Sequence, residues 1–197
     1  MWGRTQRSNV MRTINDLVSA IDFKDHLTRS HSDNVKHFAC IIAKKMGMPH
    51  SDIDGLQEAC KVYDGVHDNI LTKPDKLTEE ENKEIKLYSL AGAVILKPFQ
   101  FLDKVVKMVC QHHERYDGKG YPDGLKGDKI CLVARILAVA DSFEAMTSDR
   151  TYRKRMSKKD AIDELKRYKG SQFDPDIVDV FIKLLAEEPK IFKQSGE

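Results

Sequence analysis

His112 and His113 stand side by side, Asp141 follows in an otherwise apolar segment, and Arg150 and Arg153 close the stretch HHERYDGKGYPDGLKGDKICLVARILAVADSFEAMTSDRTYR. Imidazoles and carboxylates are donors for divalent cations. Guanidinium forks match phosphate oxygens. Together these residue types suggest a metal site built to hold a phosphate. Adjacent side chains on a helix point about 100° apart, so both histidines reach one site only near a helix end or with more than one ion. The alternative is a polar helix terminus, where cationic histidines complement the dipole. Asp141 lies in ARILAVADSFEAM, where burying an unpaired charge would be costly. Metal ligation would supply its partner, and so would an arginine such as Arg135. For Arg150 and Arg153 the alternative is a solvated basic turn shared with Lys154, Arg155, Lys158 and Lys159.

Helices must carry these residues. Apolar residues recur at helical spacing at Ile14, Leu17, Val18 and Ile21, at Val35, Phe38, Ala39, Ile42 and Ala43, and at Ile177, Val178, Phe181 and Leu184. Ser51 with Asp54, Thr78 with Glu81, and Ser157 with Asp160 each read as a helix cap followed three positions on by a carboxylate. Asp174-Pro175 reads as an N-cap followed by proline at the first helical position. These signals predict helices near 10–23, 29–46, 51–63, 78–96, 100–112, 130–147, 157–168 and 175–186. No strand alternation interrupts them. The fold class is therefore all-α, a single bundle of about seven to eight helices. Segment 116–128, with four glycines and one proline among thirteen residues, is a loop. Segment 64–77 is a connection. Residues 1–10 and 190–197 read as tails around one domain at 11–189.

The bulk numbers narrow the function classes. A chain of 197 residues suits one domain with a full core. Its 33 basic and 31 acidic residues nearly cancel, so a DNA partner is not expected. Cys40, Cys60, Cys110 and Cys131 show no C-x-x-C spacing, which argues against a zinc ribbon or a thioredoxin-like site. Each sits among apolar residues, as thiols do in a reducing cytoplasm. No apolar run approaches the ~20 residues needed to span a bilayer. The opening MWGRTQRSNV lacks the apolar centre of a signal peptide. The expectation is a cytoplasmic protein with no membrane partner.

The stretch HHERYDGKGYPDGLKG followed by ARILAVADSFEAMTSDRTYR resembles the HD-GYP family, a branch of the HD metal-dependent phosphohydrolases. Gly120-Tyr121-Pro122 is the GYP of that name. The resemblance runs from about Met11 to about Leu185 and takes in TINDLVSAIDFKDHLTRSHSDNV and FDPDIVDVF. It implies an HD-type helical domain, a site of two or three metals, and hydrolysis of cyclic di-GMP in bacterial signalling. Carried over position by position, the metal ligands are His31, Asp64, His112, His113 and Asp141, with Asp64 shared between two ions. At two further ligand positions, where the family has histidine, this chain has Tyr63 and Tyr88. Each removes a nitrogen donor from a different metal. A phenol ligates as phenolate only beside a strongly acidic metal. The alternative is that both tyrosines pack and hydrogen-bond. The connection from Asp64 to Lys73-Pro74 is also shorter than the family's and lacks a clear phosphate-binding lysine. His67 reads either as a replacement ligand, one helical turn beyond Tyr63, or as an exposed loop histidine.

By the same resemblance Asp64, Arg150 and Arg153 are catalytic, the arginines through phosphate. Gly118, Gly120, Tyr121 and Pro122 form the loop that shapes the substrate pocket. The implied cofactors are divalent metal ions, iron or manganese, two where the site is competent. Two functional readings stand side by side. One is a cyclic di-GMP phosphodiesterase weakened by the two tyrosines and the shortened loop. The other is a catalytically silent module that binds a cyclic dinucleotide or a signalling protein. A third, hydrolysis of a mononucleotide or phosphomonoester, fits the long GYP signature less well. His26, His37 and His50 match no ligand position and are expected at the surface.

Overall fold

The computed structural model describes residues 26–62, 103–149, 154–188 and 191. The helices expected at 10–23 and 78–96, and the Thr78 cap, lie outside the described residues. Within these residues six α-helices form: α1 (His26–Lys45), α2 (His50–Val62), α3 (Asp103–Gln111), α4 (Leu132–Thr147), α5 (Lys158–Arg167) and α6 (Pro175–Glu187). A 3-10 turn, Gly127–Lys129, precedes α4. Among the described residues there is no strand, only an isolated bridge between Lys169 and Phe173. The all-α expectation holds.

Two of the expected caps start their helices as read, those of α5 and α6. Ser157 accepts a hydrogen bond from the Asp160 amide and donates to its carboxylate, closing the first turn of α5. Asp174 accepts from the Asp176 amide at the start of α6, with Pro175 just inside. Ser51 does not cap α2. That helix begins one residue earlier, because the Pro49 carbonyl already accepts from the Asp52 and Ile53 amides at 3.0 and 3.1 Å. At the far end of α6, Lys158 donates to the Leu185 carbonyl at 2.9 Å, satisfying one of the acceptors a helix C-terminus leaves open.

α4 is the central element. Its buried residues include Val133, Ala134, Ile136, Leu137, Val139, Ala140 and Phe143, so it is apolar on most of its circumference. α1, α3, α5 and α6 all pack against it, and α2 packs against α1 and α3. The predicted stripes of α1 and α6 are the ones buried. Phe38, Phe143 and Phe181 meet edge to face, with ring centres 5.0 to 5.7 Å apart, and so lock α1, α4 and α6 together. Such ring pairs contribute about 0.5–1.5 kcal/mol beyond their burial. Cys40 and Cys60 are buried, Cys110 and Cys131 half-buried, and all four are free thiols. Ile191 packs against this core just past α6. Among the described residues no helix is long and apolar enough to cross a membrane.

Candidate metal and phosphate site

The packing of α1 on α4 brings His31 to Asp141. His31 Nε2 lies 3.2 Å from Asp141 Oδ1. Its other nitrogen, Nδ1, pairs with the Glu144 carboxylate. Asp141 and Glu144 are three residues apart, hence on one face of α4. Glu144 is buried at 2% exposure, and it also accepts from Ser148 Oγ at 2.6 Å and Asn34 Nδ2 at 3.3 Å. Burial alone would raise its pKa. The hydrogen bond and charge of His31, with the bonds from Ser148 and Asn34, outweigh that and hold it below the usual carboxylate value. Arg135 does not partner Asp141. It lies six residues back, about 240° round the helix, and pairs with Asp128 at 2.8 Å and Asp174 at 2.5 Å.

The second group sits where α3 ends. His112 and His113 fall in the turn after Gln111, so they escape the 100° separation of helical neighbours. Their ring centres are 3.9 Å apart. His112 is buried, and its Nδ1 is 2.6 Å from the Val109 carbonyl. That bond requires the proton on Nδ1 and leaves the lone pair on Nε2, the tautomer a metal ligand needs. Tyr121 stacks on His113 with centres 4.8 Å apart and planes 27° apart. Burial, and then the negative charge of Asp141, pushes the Tyr121 phenol up to about 12. It is therefore a neutral O–H group throughout the physiological range, and it is close enough to feel Asp141. Tyr121 thus stacks on His113 and lies within electrostatic reach of Asp141.

The residues flanking the two histidines position the loop, and sequence reasoning missed both. Gln111 accepts from the Cys131 amide at 2.8 Å, tying α3 to the start of the helix that carries Asp141. Glu114, 4% exposed, accepts from the Asp123 and Leu125 amides at 2.7 and 3.0 Å. The Tyr121 amide donates to the His113 carbonyl at 3.3 Å, and the Tyr121–Pro122 bond is cis. A Cβ on Gly120 would lie 2.3 to 2.6 Å from the backbone of Arg115, Glu114 and His113, so the loop closes over the histidines only with glycine there. Gly118 needs its freedom for another reason, a φ of +82°.

The loop is also anchored outward. The Tyr116 and Asp117 amides donate to the Gln172 and Ser171 carbonyls at 3.1 and 2.8 Å, and Arg115 bridges Asp117 and Gln172. Hydrogen bonding from Arg115 holds the Asp117 carboxyl below its usual value. A depressed folded-state pKa contributes stability above the unfolded value of ~4, lost as pH falls through the folded value. Asp117→Asn should therefore lower stability by about 1 kcal/mol or less at pH 7. Urea melts should show the gap to wild type closing below pH ~4. A gap unchanged at low pH would refute the ion pair's role.

A family model described as HD domain matches residues 17–177. The chain belongs to the HD-domain family. Its Gly120-Tyr121-Pro122 loop is the mark of the HD-GYP branch. This HD domain is 35% identical over 188 residues to the cyclic di-GMP phosphodiesterase response regulator RpfG of Xanthomonas campestris pv. campestris, covering 92% of this chain and 50% of that protein. It is 34% identical to a cyclic di-GMP phosphodiesterase of Thermotoga maritima, covering 89% of this chain and 50% of that one. The chain thus spans about half the length of these curated relatives. A crystal structure of a cyclic GMP-AMP phosphodiesterase from V. cholerae (V-cGAP3) shares the fold, with a TM-score of 0.69 at 17% identity over 92% of this chain and 49% of that one. The HD domain of L. monocytogenes PgpH also shares it, with a TM-score of 0.60 at 18% identity over 90% and 99%.

HD-domain phosphohydrolases are metal-dependent, and the donors described in this HD domain fit such an ion. His31 is oriented by a carboxylate and directed at Asp141, and His112 presents the ligating tautomer. Among the described residues no three His, Cys, Asp or Glu side chains gather closely enough to hold an ion by themselves. Asp64, Tyr63, Tyr88 and His67 lie outside those residues, as do Arg150 and Arg153. Beside the two arginines, Lys154 and Arg155 are exposed. His37 and His50 are at the surface, as expected; the side chain of His26 is outside the described set.

Proposed function

We propose that this HD domain is a metal-dependent phosphodiesterase acting on a cyclic dinucleotide, with cyclic di-GMP as the first substrate to test and linear dinucleotide or GMP as product. The observation that carries the reading is the meeting of His31 with Asp141 at 3.2 Å, together with the stacking of Tyr121 on His113. The named activities of the Xanthomonas and Thermotoga relatives, and of a 31% identical 3'3'-cGAMP-specific phosphodiesterase of Vibrio cholerae, support the substrate class. His31, Asp64, His112, His113 and Asp141 would hold iron or manganese, with Asp64 shared where two ions bind. When bound, the metal supplies Lewis-acid activation of water and neutralises charge at phosphate. Tyr121, protonated at neutral pH, covers His113. Arg150 and Arg153 would fork the phosphate oxygens. Gly118, Gly120, Tyr121 and Pro122 shape the pocket wall. The protein works in the cytoplasm and reports to signalling partners.

Tyr63 and Tyr88 favour a second reading, a cyclic-dinucleotide-binding or protein-interaction module without turnover. The test uses the full chain purified without oxygen or chelator. Metal content is measured first, then cyclic di-GMP is supplied with iron or manganese under reducing conditions. Bound metal with chelator-sensitive product supports the phosphodiesterase. Calorimetric binding of cyclic di-GMP without product moves the protein to the second reading. Turnover of a mononucleotide in place of the cyclic dinucleotide would overturn the substrate assignment.

A further inference from the structure

We propose that Glu144 is the positioning residue of the metal site, acting through His31; the inference rests on the metal-site reading above and extends it to a residue outside the ligand set. Glu144 is nearly inaccessible, at 2% exposure, yet carries a carboxylate. Burying such a group requires partners. Among the described residues its side chain meets a histidine, an amide and a hydroxyl, and no lysine or arginine: His31 Nδ1, Asn34 Nδ2 at 3.3 Å and Ser148 Oγ at 2.6 Å. Two of these partners come from α1 and one from the C-terminal cap of α4, so the carboxylate is fixed from both helices. With Nδ1 engaged, the His31 ring has a single orientation, which aims Nε2 at Asp141. Metal-ligating histidines characteristically donate their second ring N–H to a carboxylate, and losing that partner weakens metal binding by about 10–100-fold. One helix face therefore supplies both a ligand, Asp141, and the group that orients a ligand from another helix.

The competing role is purely structural, with Glu144 closing the end of α4 through Ser148. Manganese affinity distinguishes the two. Mn²⁺ is titrated into the metal-stripped full chain and read by competition with a fluorescent chelator, with the metal-free thermal midpoint recorded alongside. Glu144→Gln should weaken Mn²⁺ binding by about 10–100-fold. Glu144→Asp should recover part of that loss. Thr147→Val removes a bond from the same helix end, Thr147 Oγ1 to the Phe143 carbonyl at 2.8 Å. It should lower the midpoint and leave Mn²⁺ affinity at the wild-type value. Equal Mn²⁺ affinity in Glu144→Gln and wild type overturns the proposal, as does an equal loss in Thr147→Val. In zinc-loaded wild type, the ring ¹⁵N shifts of His31 should show Nδ1 protonated and Nε2 bound. The reverse pattern would overturn the proposal even if the variants did not fold. A wild-type chain that binds no metal sinks this inference and the proposed function together. Normal Mn²⁺ binding that depends on Glu144, without hydrolysis of cyclic di-GMP, supports the inference and sinks only the activity.

Discussion

Gly120→Ala should lower the stability of the fold by about 3 kcal/mol, near the upper end for forcing atoms into a filled space. The added methyl would meet the Arg115 amide nitrogen at 2.3 Å, Glu114 Cα at 2.5 Å and the His113 carbonyl oxygen at 2.6 Å. All three are backbone atoms, so no side-chain rotation relieves the contact. The loop must lift, and lifting it breaks the Tyr121 amide bond to His113 and the stack of Tyr121 on His113. For a chain of this size the thermal midpoint should fall by roughly 6–12 °C. The Tyr121 amide should also exchange faster with solvent. A midpoint within experimental error of wild type would mean that the loop does not close over the histidines as described.

Glu114→Ala should cost about as much by a different route. The carboxylate is 4% exposed and holds two loop amides, Asp123 at 2.7 Å and Leu125 at 3.0 Å. Hydrogen bonds to an ionised group contribute about 1.5–3 kcal/mol each, so the pair is worth roughly 3 kcal/mol or more. Glu114→Gln keeps one acceptor oxygen and should lose about half of that. Denaturant melts give the totals, and hydrogen exchange locates them. Asp123 and Leu125 should exchange faster in Glu114→Ala, while the amides of α1 and α6 keep their protection up to the global limit. Uniformly faster exchange would place Glu114 in the general core and not in the loop latch.

Most of the framework was legible because each signal was local. Ser157 with Asp160, and Asp174 with Pro175, announce helix starts that depend only on neighbouring residues. The glycines of 116–128 announce the loop, and the α1 and α6 stripes announce their buried faces. The histidine pair pointed to a helix end, and the end is there. Readings that required knowing which surfaces meet fared differently. Nothing in the spacing says that His31 crosses from α1 to Glu144, so a carboxylate three residues beyond Asp141 passed as background, although its shared helix face was a usable clue. Glu114 was hidden by the histidines beside it. Arg135 stood in sequence as a partner for Asp141, and only the docking of α4 against α6 selects Asp174. Ser51 failed as a cap because a proline carbonyl two residues ahead had already begun the helix.

Four consecutive side chains, Gln111 to Glu114, reach four separate anchors: the Cys131 amide, the Val109 carbonyl, the Tyr121 ring, and the Asp123 and Leu125 amides. Evolution can exchange these residues one at a time, each change disturbing one anchor. A change of length is another matter. One residue gained or lost here would shift every following side chain away from its partner, and the attachments beyond that point would be misdirected together. Length variation in this domain is therefore expected in the connections between helices, with this tetrapeptide held as an unbroken unit.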